Sequence, residues 1–262
     1  MSSPPPDPTP RSIWLIGGTQ DSTHLAQALI HAAIPTVVTV TTESARHLYP
    51  THPLLTILVG TLDPGAMGSW LQHHCIAGIL DASHPFARIV SQGAIAAAQR
   101  HRIPYLRYER PSLGDLPPAP APSDWHPQDL EETLWQGRRI LLILGYRMLP
   151  QFQPWHDRAT LFARILPSEI ALKTALNAGF SPARLIALRP PISVNLERAL
   201  WQQWDISLVI TKASGQAGGE DIKRYLAEEL GIPLVVLPRP FVAYPDQTST
   251  LDQAIAFCQN IL

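Results

Sequence analysis

The sequence alternates repeatedly between a short apolar run and a stretch with helical periodicity, and a small polar turn marks each changeover. Short apolar runs suit strands covered on both faces, and apolar residues spaced three and four apart suit the helices that cover them. In the first part of the chain the apolar runs fall at 12–16, 36–40, 54–59, 76–80 and 103–108. Helical spacing lies between them, as in Leu25, Ala28, Leu29 and Ala32, or in residues 87–99 with Ile89, Val90 and Ile95. A parallel neighbour in a sheet is reached only by a crossover, so this alternation predicts a doubly wound parallel sheet.

Between Pro111 and Pro127 the pattern stops. Pro111, Pro117, Pro118, Pro120, Pro122 and Pro127 stand among small residues with little to bury, which is the texture of a stiff linker. The alternation then resumes, with strands expected at 139–144, 158–163, 184–188, 208–211 and 233–237. A last amphipathic helix at 249–262 has no packing partner that the pattern can name. The expected fold class is α/β, with two Rossmann-like domains, mostly parallel sheets and a ligand cleft between them. Residues 1–10 would be a disordered leader, 11–115 the first domain, 116–127 the linker and 128–262 the second domain.

A formal net charge of −1 argues against a general polyanion binder, so no nucleic-acid partner is expected and any anion site must be local. Cys75 and Cys258 have no neighbour at metal or redox spacing, so no metal site is expected and a reducing cytoplasm fits. Residues 1–10 lack the basic start and apolar middle of a signal peptide, and no apolar run has the length of a membrane span.

Ligands of open parallel sheets gather at the carboxyl ends of the strands, so the turns there carry the chemistry. After the first strand comes Gly17-Gly18-Thr19, whose glycines let backbone approach a ligand and whose following helix offers free amides to phosphate oxygens. The spacing is not the full G-x-G-x-x-G, so a plain tight turn is the alternative. After the second strand come Thr41, Thr42, Glu43 and Arg46, where an acid would favour a free ribose hydroxyl and an arginine a 2′-phosphate. Two solvated charges in a loop would look the same.

After the fourth strand, Asp81-Ala82-Ser83-His84-Pro85-Phe86-Ala87 puts an acid, a hydroxyl and an imidazole within four residues. His84 can shape the turn, contact a ligand or move a proton, and Asp81 can simply cap the next helix. In the second half, Gly145-Tyr146-Arg147, Lys212-Ala213-Ser214-Gly215 and Leu237-Pro238-Arg239-Pro240 all follow strands. Arg147, Lys212, Lys223 and Arg239 could together form a basic wall for a polycarboxylate, arginine binding bidentately and lysine as a point charge. Ser-His-Asp order, HExxH and the Walker lysine loop are not present in the sequence.

Taken in order, Gly17-Gly18-Thr19, Asp81 to Ala87, the Arg-Tyr-Glu-Arg-Pro string at 107–111, Thr211 to Gly215 with Gly218, Gly219 and Lys223, and Arg239-Pro240 resemble the precorrin-6A reductase and cobalt-precorrin-6A reductase family of the cobalamin pathway. The D-A-S-H-P-F-A string is its most specific part.

The resemblance implies an NADPH- or NADH-dependent oxidoreductase that reduces the C18–C19 double bond of precorrin-6A, or of its cobalt-containing form, to the 6B form. It implies a cofactor site of Gly17, Gly18, Thr19, Thr41, Thr42, Glu43, Arg46, Gly60, Asp81, Ala82, Ser83, His84 and Pro85 in the first domain. Arg110, Arg147, Lys212, Ser214, Gly215, Lys223 and Arg239 would hold the substrate, Asp81 and His84 are the candidate proton donors, and a cytoplasmic monomer with no membrane partner is expected. A two-domain tetrapyrrole lyase of the uroporphyrinogen synthase kind and a non-catalytic dinucleotide or carboxylate sensor are the alternatives.

Overall fold

A computed structural model describes residues 11–114 and 125–262; the expected leader and residues 116–124 of the expected linker lie outside the described residues. The first stretch runs β1 (Ser12–Ile16), α1 (Gln20–His31), β2 (Thr36–Val40), α2 (Glu43–Arg46), β3 (Leu55–Val59), α3 (Met67–His73), β4 (Ile76–Asp81), α4 (Arg88–His101) and β5 (Tyr105–Tyr108). The second runs β6 (Arg139–Ile143), β7 (Thr160–Ile165), α5 (Glu169–Asn177), β8 (Leu185–Ala187), α6 (Val194–Gln203), β9 (Leu208–Lys212), α7 (Glu220–Leu230) and β10 (Leu234–Leu237). The chain ends with β11 (Gln247–Thr248) and α8 (Leu251–Gln259).

Among the described residues two compact units result: the first comprises 11–111 and Val242–Leu262, and the second 112–114 and 125–241. Among the described residues the first unit holds a six-stranded sheet ordered β11-β5-β4-β1-β2-β3, with every pairing parallel. The second holds a five-stranded sheet ordered β10-β9-β6-β7-β8, again parallel throughout. Each is a Rossmann-like sheet, and strand order reverses between β1 and β4 in one and between β6 and β9 in the other.

Residue alternation sorts the core. Along β1, Ile13 and Leu15 face Leu25, Leu29, Val38 and Leu80, while Trp14 and Ile16 face Met67, Leu71, Ile79 and Ala94. Every residue of β1, β2 and β4 is buried, the state that continuous apolar strands require. In the second unit, Leu142, Leu161 and Ile210 pack with Phe152 and the small residues Ala171 and Ala175 of α5. Leu141, Phe162 and Val209 pack on the other side with Trp201, Leu226 and Ala227 of α6 and α7.

The expected second domain at 128–262 is corrected at its end, because residues 242–262 return to the first unit. β11 extends the sheet beside β5, pairing Gln247 with Arg107 and Thr248 with Tyr108. α8 then buries Ala254 and Cys258 in the core that α1 lines. Gly78 of β4 makes room for it, since a Cβ there would lie 2.7 Å from Ile261 Cδ1. No described helix is long and apolar enough to cross a membrane.

Candidate functional site

In the first unit the reversal of strand order brings the β1 and β4 turns together. Thr19 caps α1, accepting from the Ser22 amide, and its hydroxyl also donates to the Ala82 carbonyl at 2.9 Å. One bond thus joins the glycine turn to the Asp81 turn. Gly18 has φ +97° and open space where a side chain would stand, so its backbone is accessible from solvent. Gly17 is glycine for a different reason: a Cβ would lie 2.4 Å from Tyr49 Oη and 2.9 Å from Val38 Cγ1.

Tyr49 Oη underpins the turn, accepting from the Gly18 amide at 2.8 Å and bonding the Ser22 hydroxyl at 2.6 Å. With Ser22 served by Thr19, helix geometry leaves the Gln20 and Asp21 amides as the donors of the first turn of α1. Asp21 would repel a phosphate there, but Arg110 pairs with it at 2.6 Å and cancels the charge. A left-handed glycine open to solvent beside a capped helix N-terminus fits the diphosphate of a dinucleotide.

Asp81 is wholly buried and saturated. Its Oδ1 accepts from the Ser83 amide and Arg107 Nη1, both at 2.9 Å, and its Oδ2 from the Ser91 and Tyr105 hydroxyls, both at 2.6 Å. Burial alone would raise its pKa; the Arg107 charge and the bonds from Ser91, Tyr105 and Ser83 outweigh that and hold it below the usual carboxylate value. A carboxylate so engaged neither reaches a ligand nor trades protons, and this corrects its expected place among cofactor contacts and proton donors. It shapes the turn from beneath. Burial and the Asp81 charge both push the Tyr105 hydroxyl far up, so it stays a donor.

Ser83 is buried in the same network, receiving Arg107 Nη1 at 3.0 Å, and Pro85 is buried. His84 is exposed, and its Nδ1 accepts from the Phe86 amide at 3.2 Å, which leaves the proton of the neutral ring on Nε2. At the end of β2, Thr42 caps α2, Thr41 is exposed, and Glu43 pairs with Arg46 at 3.4 Å on the surface. Gly60 follows β3 at φ +145°.

In the second unit the corresponding turns follow β6 and β9. Gly145 turns at φ +77° and leads to exposed Arg147, whose Nε donates to Tyr146 Oη at 3.3 Å. Lys212 ends β9 half-buried, and burial first, then the Arg147 charge, pushes its ammonium down to about 8. Arg239 Nε donates to the Ala213 carbonyl at 2.9 Å, which keeps it beside the same loop.

Lys223 departs from its expected substrate role: it is buried and donates to the Gly218 and Gly219 carbonyls, both at 2.8 Å. Burial and the nearby Arg164 push it down to about 8. Glu220 caps the loop from the other side, Oε2 accepting from the Gly215 amide at 2.8 Å. Ser214 is packed where a Cβ on Gly218 would fall, 2.1 Å from its Oγ. The chain's own Glu220 carboxylate thus takes the Gly215 amide, a donor this loop would otherwise offer to an anion.

The supporting residues Tyr49, Ser91, Tyr105 and Arg107 were not singled out by sequence as functional residues. Arg107 alone stood in a motif, the Arg-Tyr-Glu-Arg-Pro string.

Fold and site together define a two-unit Rossmann-like protein with a glycine turn at the switch point of its first sheet. Residues 12–259 match the family model described as Precorrin-6x reductase CbiJ/CobK, and the chain belongs to that family. A cobalt-precorrin-6A reductase of Synechocystis is 45% identical, over 96% of this chain and 97% of that protein. A precorrin-6A reductase of Rhodococcus erythropolis is 32% identical, over 92% and 93%. A solved structure, CobK precorrin-6A reductase, shares the fold at a TM-score of 0.76 and 21% identity, covering 95% of this chain and 96% of that one.

Proposed function

We propose that this chain reduces cobalt-precorrin-6A to its 6B form with a reduced nicotinamide dinucleotide, as a step in cobalamin biosynthesis. Membership of the precorrin-6x reductase family supports the reaction class. The 45% identity to a cobalt-precorrin-6A reductase along nearly all of both chains favours the cobalt ring over the metal-free one. The observation that carries the reading is the Thr19–Ala82 bond, which joins a glycine turn to the family's D-A-S-H-P turn where strand order reverses.

When bound, the dinucleotide supplies a hydride to C19 of the ring. The chain's own part is to bind and orient. The first-turn amides of α1, approached past the side-chain-free Gly18, hold the diphosphate, with Arg110 offsetting Asp21. Ala82, Ser83, His84 and Pro85 border the nicotinamide side, and Thr41, Thr42, Glu43, Arg46 and Gly60 the adenosine side, where Glu43 suits the free ribose of NADH and Arg46 the 2′-phosphate of NADPH. Arg147, Lys212 and Arg239 take ring carboxylates beside the Ser214-Gly215 turn, and Lys223 serves them by holding their loop. The proton for C18 comes from water or from His84, since Asp81 is saturated. Neither cysteine is in a disulfide, and the cytoplasm suits such a chain.

The test is anaerobic incubation of the full chain with precorrin-6A or cobalt-precorrin-6A and with NADH or NADPH, following nicotinamide oxidation and the gain of two hydrogens by the ring. Consumption with the cobalt ring is expected. No consumption in any of the four combinations would reject the reading.

A further inference from the structure

Asp81 ends β4 and Tyr244 lies on the segment by which the chain returns to the first unit, yet both meet one guanidinium. Arg107 Nη1 donates to Asp81 Oδ1 at 2.9 Å and its Nε to Glu109 Oε2 at 2.9 Å, while its guanidinium carbon lies 5.2 Å from the centre of the Tyr244 ring. On the other side of Asp81, the Ser91 hydroxyl donates to Oδ2 at 2.6 Å. A linked circuit results, running from Tyr244 through Arg107 and Asp81 to Ser91. The main chain ties the same pieces, with the Arg107 amide donating to the Asp246 carbonyl at 2.9 Å and the Glu109 amide to the Thr248 carbonyl at 2.8 Å.

Arg107, Asp81 and Ser91 are buried, where electrostatic bonds are strong and each polarises the next. The circuit also reaches the turn backbone directly. Asp81 Oδ1 takes the Ser83 amide, and the Ala82 carbonyl between them takes Thr19 Oγ1 of the glycine turn.

We propose that Arg107 and Tyr244 are positioning residues for the dinucleotide: the returning segment holds the Asp81–Pro85 turn, and through Thr19 the glycine turn, in the receiving conformation. The proposal rests on the reading of the β1–β4 switch point as the dinucleotide site. Both residues act through the turn backbone. A purely structural role would lower the amount of folded enzyme, and so the apparent kcat, without changing KM in the molecules that remain folded. Loss of positioning instead raises Kd and KM for the dinucleotide and spares KM for the tetrapyrrole.

The test compares the full-length wild type with Tyr244→Ala, Tyr244→Phe and Ser91→Ala. Each is titrated with NADH and with NADPH by nicotinamide fluorescence and assayed in the steady state with cobalt-precorrin-6A. Tyr244→Ala should raise Kd for the preferred dinucleotide by about tenfold, the scale of one desolvated cation–π contact, and Tyr244→Phe should recover most of that because the ring stays over Arg107. Ser91→Ala should fall between them, with tetrapyrrole KM nearly unchanged throughout. A folded Tyr244→Ala with wild-type Kd overturns the proposal; if that variant does not fold, wild-type Kd in Ser91→Ala overturns it. A wild type that binds neither dinucleotide overturns the site reading, and this proposal with it.

Discussion

The Asp81 carboxylate and the Arg107 guanidinium meet at 2.9 Å across adjacent strands, both withdrawn from water. Opposite charges buried in register can hold a turn that exposed charges could not, and without Asp81 the Arg107 guanidinium keeps only the partly exposed Glu109 as its ion-pair partner. Asp81→Asn should therefore cost about 3 kcal/mol, the lower end of the penalty for breaking a buried ion pair, since Glu109 still faces Arg107. Because Asp81's folded pKa lies below its unfolded one, its contribution is present at neutral pH and is lost as pH falls through that lowered value. Urea melts across acidic pH should show that loss in the wild type, and a flatter profile in the variant.

Gly17→Ala places a methyl group against Tyr49 Oη and Val38 Cγ1, and neither can retreat from a packed turn. A loss of about 1–3 kcal/mol is expected from overpacking. Dinucleotide affinity should fall as well, since Tyr49 also holds the Gly18 amide. Thermal unfolding with and without NADH measures both, and the stabilisation by ligand should shrink more than the intrinsic stability.

How much of this was legible in the residues can be judged element by element. The strands β1 to β10 were legible because each is a short, largely apolar run, and the fully covered ones, such as Ser12–Ile16 and Thr36–Val40, are apolar on both faces. β11 was not, because two residues are too few to carry a period, and the apolar stripe of α8 says that it packs but not against what. At the site, Gly17, Thr19 and Asp81 stood out by type and position. Whether Asp81 looks outward or inward depends on Ser91, Tyr105 and Arg107, which are 10, 24 and 26 residues away and meet it only through the sheet register. Lys223 was misplaced for the same reason, its carbonyl partners being set by the fold of the glycine loop.

His84 is exposed at the tip of the turn with Nδ1 engaged by its own backbone, a geometry for contact more than for proton delivery. His84→Ala should raise KM for the dinucleotide a few-fold while kcat falls by less than about tenfold, since loss of a general acid costs about a hundredfold or more. A larger fall in kcat, with a lost ionisation near neutral pH in its profile, would make His84 the proton donor to C18.

Glu43 and Arg46 neutralise each other weakly, both being more than half exposed at 3.4 Å. An acid here favours a ribose hydroxyl and repels a 2′-phosphate, and the arginine does the reverse. Glu43→Gln should raise KM for NADH and lower it for NADPH, and Arg46→Ala should raise KM for NADPH. The ratio of kcat/KM for the two cofactors reads the outcome, and equal ratios in wild type and both variants would remove the pair from the adenosine site.

Lys212, pushed down to about 8, is mostly charged at pH 7 and loses its proton just above it. If its ammonium holds a ring carboxylate, KM for the tetrapyrrole should climb as pH rises through about 8, and Lys212→Met should have a higher KM without that climb. Stability runs the other way. Between about 8 and the ordinary lysine value the unfolded chain binds the proton that folded Lys212 has released, so stability rises with pH across that window. Lys223, pushed down to about 8 as well, adds the same slope, so Lys212→Met should remove about half of the two lysines' combined contribution. Denaturant melts across the window, set beside the KM profile, separate the two effects: affinity falling while stability rises is the signature of a half-buried ammonium that is kept for its ligand.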